Sequence, residues 1–419
     1  MSSLKTNPFI DSLPSIHSYE AFETLVERRP DKSNDFSQLS HEKREEQLEE
    51  DLYVPSEFAW GIYQDITRLI RKGYRTRNPL DHSFTKHNNT WTFGDSDKYS
   101  EEYREKRGIA GVITGTSGFG KTTLVDNCLR LIPKTRVHKF ESSLVGEEFL
   151  QIVWIKIDCE ADSRKETLLN IARQIQSHVN QDLGIKKFES MRAPALRKAV
   201  VTVCRKFAVG LIVIDECQTL TSLPFDKDDK TTSTGFLEKL FQDLGLPLLT
   251  IGTQEYWDLL KLRGQTYRRM TKNLSVRVQR YDEGDAFWSK LLNVYIRNFV
   301  FPGAKKLSGN QSKRIYDISA GNVSLLQKLC SAMLLLRESY DVRQLTNDLL
   351  ELAYQRVKTD VETTKLLLEL KDIDIDAFEG DVANSQKSQK KVTRKTDESI
   401  ADDAGEAYRS RILKLRGKR

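Results

Sequence analysis

The stretch "GVITGTSGFGKTTL", residues 111–124, limits what this chain can fold into more than any other. An apolar run breaks into glycines, meets a lysine and two threonines, and turns apolar again. It contains G-x-x-x-x-G-K-[ST] as Gly115, Gly120, Lys121 and Thr122, between an expected strand and an expected helix, the setting a phosphate-binding loop requires. Glycines let successive backbone N–H groups converge on an anion, and the positive end of the following helix adds its field. Gly115, Thr116, Ser117, Gly118, Phe119, Gly120, Lys121, Thr122 and Thr123 are therefore assigned to the phosphates of a nucleotide. Lys121 is expected to reach the terminal phosphates, and Thr122 to hold Mg²⁺ through its hydroxyl.

A phosphate loop alone does not separate a kinase from a hydrolase. The second acidic site comes from "LIVIDECQTL", where a buried apolar strand ends in Asp215 and Glu216. A strand-end aspartate such as Asp215 holds the Mg²⁺ shell. An adjacent carboxylate such as Glu216 orients and deprotonates the attacking water. One further strand, "QIVWIKID", lies between Lys121 and Asp215, and another, "LPLLTIGTQ", follows the acids. That spacing favours the class of ATP hydrolases in which an extra strand separates the loop strand from the acidic strand. Thr253 and Gln254 would then end a strand beside the nucleotide, placed to position the γ-phosphate or the water.

Beyond that strand, "KLRGQTYRRMTKNLSVRVQR" carries Arg263, Arg268, Arg269, Arg277 and Arg280. A nucleotide at a subunit edge can be completed by an arginine from the neighbour, which stabilises transition-state charge. Arg268 or Arg269 is the candidate, with Arg277 behind them; taken singly, each of these arginines more often reads as part of a basic loop facing solvent or nucleic acid.

Four zones follow from the patterning. Residues 1–106 form a polar, charged N-terminal extension in which "SHEKREEQLEEDLY" reads as an exposed helix. In "EFAWGIYQDITRLIRKGY", Phe58, Ile62, Ile66, Leu69 and Ile70 recur at helical spacing, so this helix is expected to dock on a partner element. Residues 107–283 alternate apolar runs with helical stretches, the pattern of an α/β domain with a five-stranded parallel sheet. The expected strands are "GIAGVITG", "QIVWIKID", "GLIVID", "LPLLTIG" and "LSVRVQ". "TTLVDNCLRLI", "KETLLNIARQIQSHV", "APALRKAVVTVCRKF" and "TGFLEKLFQDLG" are the expected helices between them. Residues 284–371 keep only helical spacing and form a small helical lid, whereas residues 372–419 are a basic tail too poor in large apolar side chains to fold alone.

No apolar stretch approaches the roughly 18 residues of a membrane span. The opening "MSSLKTNPFIDSLP" lacks a signal-peptide pattern, so a cytoplasmic location without membrane contact is expected. The cysteines show no CxxC pair and the histidines no metal-ligand spacing, so the thiols read as core residues. A formal net charge of +6 permits an acidic partner such as DNA.

The pairing of "GTSGFGKTT" with "VGLIVIDECQTLTS", then "LLTIGTQ", then a helical lid, resembles an AAA+ ATPase. More specifically, the chain resembles the TnsC/TniB family, target-site regulators of Tn-seven-like transposons, including CRISPR-associated ones. "TNPFIDSLP", "LIRKGYRTRNPL" and "IKIDCEADSRKE" are similar to that family outside the ATPase core, and the resemblance runs to about residue 360. It implies ATP-bound subunits that assemble as a ring or helical filament on double-stranded DNA. It further implies recruitment by a TniQ/TnsD-type target-selection protein through the N-terminal extension, engagement of transposase subunits, and resetting by hydrolysis in the bacterial nucleoid. Arg164, Lys165 and Arg173 fall where the family directs a helix at the DNA backbone; read without it, "SRKE" is equally a solvated helix start.

The resemblance implies that the basic tail contacts transposase subunits, with Tyr408, Ile412 and Leu415 as the apolar face of a helix that orders on binding; read without it, the tail is equally a solubilising or DNA-touching end. Many AAA+ lids carry an arginine at the start of a late helix, whereas "SAGNVSLLQ" offers Gly321, Asn322, Val323 and Ser324, from which slow turnover is expected. An origin-recognition or helicase-loader ATPase and a signalling NTPase remain alternative functions. Neither gives a reason for "TNPFIDSLP" and "GYRTRNPL".

Overall fold

Apolar spacing sets the local elements, and their packing sorts them into two bodies. The computed structural model describes residues 6–28, 40–48, 52–81, 109–139, 148–159, 164–221, 245–262, 264–302, 304, 306–340 and 342–365. The described residues within Met1–Leu25, Glu57–Gly115 and Lys121–Val278 make one unit, and those within Val26–Ser56, Thr116–Gly120 and Gln279–Arg419 the other. Residues 1–106 thus contribute to both units. The basic tail, 372–419, and all but the last residue of the expected helix 234–245 lie outside the described residues.

In chain order the first elements are helices α1 (Pro8–Asp11), α2 (Tyr19–Val26), α3 (His41–Glu46) and α4 (Glu57–Tyr74). Then come β1 (Ala110–Gly115), α5 (Lys121–Arg130), β2 (Thr135–Lys139), β3 (Glu148–Ile152), β4 (Trp154–Asp158), α6 (Arg164–Gln176), α7 (Ile185–Glu189) and α8 (Ala193–Lys206). The sheet unit continues with β5 (Leu211–Asp215), a 3₁₀ turn (Cys217–Thr221), β6 (Leu248–Gly252), α9 (Gln254–Lys261), α10 (Gly264–Met270) and β7 (Leu274–Val278). The second unit adds α11 (Ala286–Leu292), a π-helical continuation (Asn293–Val300), α12 (Gly309–Ser319) and α13 (Val323–Ser339), with a last helix over residues 347–365.

The main sheet has five strands in the order β4-β5-β6-β1-β7, and all four pairings are parallel. Strands β1, β5 and β6 are buried along their whole length, as parallel strands covered on both faces must be, which is why their sequences are near-continuous apolar runs. Each expected strand of this sheet is present. The run 151–158 is divided at Val153, however, where the backbone leaves one pairing and enters another. Its first part closes an antiparallel β2–β3 hairpin that the apolar pattern does not announce, because β2 is largely exposed and polar.

Helix α4 docks on this unit along its length. The Cys128 thiol of α5 donates to Ala59 O, and Gly73 packs against Pro247 so closely that a Cβ there would lie 2.3 Å from the proline ring. Phe58, expected on the docking face, is instead 43% exposed. The buried stripe starts at Ala59, and a neighbouring residue is turned by about 100° around the axis.

The segments around Asn7 and Tyr74 lock together. Asn7 caps α1 by accepting from Phe9 N–H, while its amide donates to Tyr74 O at 2.9 Å. Asn78 donates to Thr6 O, Tyr74 OH donates to Ala208 O at 2.7 Å, and Arg77 donates to Val209 O at 2.7 Å. Phe9 is fully buried among Tyr74, His138 and Phe149. Phe9→Ala is expected to destabilise the fold by about 3–5 kcal/mol. Chemical denaturation of both proteins measures the difference.

In the helical unit, Trp288, Ile296, Phe299, Leu326 and Leu329 form the core, together with Leu48, Leu52 and Val54 from the N-terminal segment. The helix in "SHEKREEQLEEDLY" is therefore not simply exposed. Arg44 and Leu48 are four residues apart and share one face; Leu48 is buried and Arg44 pairs with Glu338 at 3.4 Å. Helix α12 begins with a complete capping box, Ser308 with Gln311, and α13 is capped by Asn322, whose side chain accepts from Ser324 N–H and Leu325 N–H. No single helix among the described residues is long and apolar enough to cross a membrane.

Candidate active site

The phosphate loop leaves the carboxyl end of β1 and enters α5. Gly115, Gly118 and Gly120 have φ of 155°, 82° and 74°, conformations that side chains with a Cβ rarely adopt. At Gly115 space adds a second demand, since a Cβ would lie 2.4 Å from Val278 O of the neighbouring strand. Helix α5 starts at Lys121 with no acidic residue in its first turn, so the positive end of its dipole is left for an anion.

β6 lies between β5 and β1 in the sheet, which brings the carboxyl ends of the loop strand and the acidic strand to one edge with Gly252 between them. Open parallel sheets bind ligands at that edge. Asp215, at the end of β5, is 2% exposed. Its Oδ2 accepts the Thr122 hydroxyl at 2.9 Å, and its Oδ1 accepts Glu216 N–H at 2.8 Å. Lys156 Nζ of β4 lies 3.3 Å from Asp215 Oδ2 and 2.6 Å from Asp126 Oδ1 of α5. A hydroxyl and a carboxylate this close are hard oxygen donors of the kind Mg²⁺ takes beside phosphate oxygens. Thr122 and Asp215 therefore fit a Mg²⁺ site.

Glu216 follows on the exposed side and adopts φ of 55°, a left-handed conformation that costs a non-glycine residue of order 1 kcal/mol or more. Gln218, in the 3₁₀ turn, donates its amide to Glu216 Oε2 and accepts Thr253 N–H at 3.2 Å. Thr219 ties that turn to Cys159 O at 2.9 Å. Glu216, Gln218 and Thr253 are thus linked from the end of β5 to the end of β6. The Thr253 hydroxyl donates to Glu255 at 2.9 Å, and Gln254 is buried with its amide on Asp258.

Sequence reasoning missed Gln218, Lys156 and Asp126. A lysine within the apolar strand "WIKID" was the available signal, because an ammonium in a doubly covered sheet needs a partner. In the helical unit, Asn322, one of the four residues singled out at the start of α13, has its side-chain amide 3.2 Å from where a Cβ on Gly118 would lie. Gly321, with φ of 69°, is held against Tyr281 O, where a Cβ would lie 2.0 Å away.

Arg268, Arg269, Arg277 and Arg280 are exposed on α10, on β7 and just after it, and Arg263 lies outside the described residues. Arg164 begins α6, and its side chain is not among those described. Lys165 donates to Glu189 O at 2.5 Å, and Arg173 bonds Glu166, Asn170 and Glu189, with the Glu166 hydrogen bond raising its pKa further. All five cysteines are buried, and burial pushes the Cys204 thiol up to about 12, so these groups are unreactive core thiols.

Residues 104–260 match the family model described as an AAA domain, and the described residues among them have the fold of an AAA-type P-loop ATPase domain. Among solved structures, the Walker-type ATPase PABY2304 of Pyrococcus abyssi is similar at 14% identity and a TM-score of 0.42, over 67% of this chain and 75% of its own. The ORC1 protein of Aeropyrum pernix, solved in complex with DNA, is similar at 13% identity and a TM-score of 0.40, over 68% and 70%. Domain III of the replication initiation protein DnaA of Thermotoga maritima is similar at 17% identity and a TM-score of 0.37, over 67% and 98%. No curated protein matches the chain.

Proposed function

We propose that this protein is an ATP-dependent regulator of DNA transposition of the TnsC/TniB kind. In this reading it assembles on double-stranded DNA as a ring or filament, links a TniQ/TnsD-type target-selection protein to the transposase, and is reset by slow ATP hydrolysis. The observation that carries the ATPase part is the joining of Thr122, Asp215, Glu216, Gln218 and Thr253 at one sheet edge beside the phosphate loop. Support for the transposition part comes from the resemblance of "TNPFIDSLP" and "LIRKGYRTRNPL", two segments held to each other through Asn7, Tyr74 and Asn78.

In the mechanism, backbone N–H groups of 115–122 and the Lys121 ammonium hold the triphosphate. Thr122 and Asp215 would hold Mg²⁺, which would supply positive charge against the phosphates. Glu216, kept in place by Gln218, takes the proton of the attacking water. Arg268 or Arg269 of a neighbouring copy completes the site, which ties assembly to occupancy. Arg164, Lys165 and Arg173 contact the DNA backbone without sequence choice, the latter two exchanging surface partners that contribute little by themselves.

Electron microscopy with long duplex DNA and a non-hydrolysable ATP analogue tests the reading. Ordered rings or filaments that require the nucleotide are expected. Single subunits scattered on DNA regardless of nucleotide would overturn it.

A further inference from the structure

Strand β4 places one charged side chain inside an apolar sheet. Lys156 stands between Ile155, 1% exposed, and Ile157, 5% exposed, opposite Val213 of β5. Its own side chain is 18% exposed. An ammonium in that position is retained only if carboxylates meet it. Two do, from two different elements: Asp126 of α5 at 2.6 Å and Asp215 of β5 at 3.3 Å. The Asp215 oxygen that faces Lys156 is Oδ2, the same atom that accepts the Thr122 hydroxyl. Its other oxygen is taken by Glu216 N–H.

We propose that Lys156 is the positioning residue of the metal-site carboxylate: it offsets the buried charge of Asp215 and competes with Mg²⁺ for Asp215 Oδ2. This rests on the nucleotide reading above. Asp126 is the alternative partner that draws Lys156 away from Asp215. The balance between the two carboxylates sets how much Mg²⁺ the site needs. A divalent cation held by Thr122 and Asp215 would be repelled by the Lys156 ammonium, which lies 3.3 Å from Asp215 Oδ2.

The proposal predicts opposite effects for two substitutions. Lys156→Met removes the competitor, so the Mg²⁺ concentration giving half-maximal binding of a fluorescent ATP analogue falls, about three- to tenfold. Asp126→Asn leaves Lys156 with Asp215 alone, so that concentration rises. Titrating Mg²⁺ into the 419-residue chain with the analogue present, while following fluorescence and thermal midpoint, reads both. A general loss of structure would move the two variants the same way.

Unchanged half-saturation in both variants, or shifts in one direction, would overturn the proposal. Should Lys156→Met fail to fold, Asp126→Asn decides alone, a rise supporting the role and no change ending it. A wild-type protein that binds the analogue neither with nor without Mg²⁺ would overturn the nucleotide reading and this inference with it. Analogue binding that needs Mg²⁺ in the wild type, with both variants unmoved, would end only the role of Lys156.

Discussion

Lys121→Ala is expected to abolish nucleotide-dependent assembly on duplex DNA and to weaken ATP binding by about 30- to 150-fold. The estimate follows from losing a charge-assisted contact with phosphate, roughly 2–3 kcal/mol, at about 1.4 kcal/mol per tenfold. The residue is the first of α5, whose first turn holds no acidic residue to repel phosphate. The substitution adds little strain, since alanine is a good helix former and position 121 is helical. Calorimetric titration with ATP and sedimentation in the presence of duplex DNA measure the two effects. Wild-type affinity with wild-type assembly would remove the phosphate loop from the account.

Glu216→Gln separates binding from chemistry. The amide keeps the size of the side chain but cannot take a proton, so hydrolysis is expected to fall about 10²- to 10⁴-fold. ATP binding should stay close to wild type, because the loop, Thr122 and Asp215 are untouched. The left-handed backbone at 216 is as accessible to glutamine as to glutamate, and Gln218 can turn its own amide to meet the new one. Assemblies on DNA should therefore persist in ATP where those of the wild type turn over. Phosphate release beside nucleotide titration checks this. Hydrolysis at the wild-type rate would assign the base to another residue.

These two expectations rest on parts of the chain that were legible as sequence. The loop and the acidic pair are local motifs, and the strands that carry them are buried on both faces, so apolar runs such as "LIVID" and "LLTIG" mark them directly. The separation of the loop strand from the acidic strand was also readable, from the order of the runs, and the sheet order β4-β5-β6-β1-β7 agrees. The β2–β3 pairing was not readable, because β2 is exposed and polar and shows no apolar run. Phe58 and the Arg44–Leu48 face were misjudged for one reason: helical spacing shows that a stripe exists but not where its packing stops.

By itself the sequence determined the phosphate-loop motif, the adjacent acids Asp215 and Glu216 at a strand end, and the parallel α/β sheet, since each depends on residues adjacent in the chain or on periodic burial. Only the tertiary structure decided that Lys156 joins Asp126 to Asp215, that Gln218 bridges Glu216 and Thr253, and that residues 26–56 pack with the helical unit. Those are meetings of charge and surface between distant segments. They are set by which buried groups must find a partner once the sheet and the helices have excluded water.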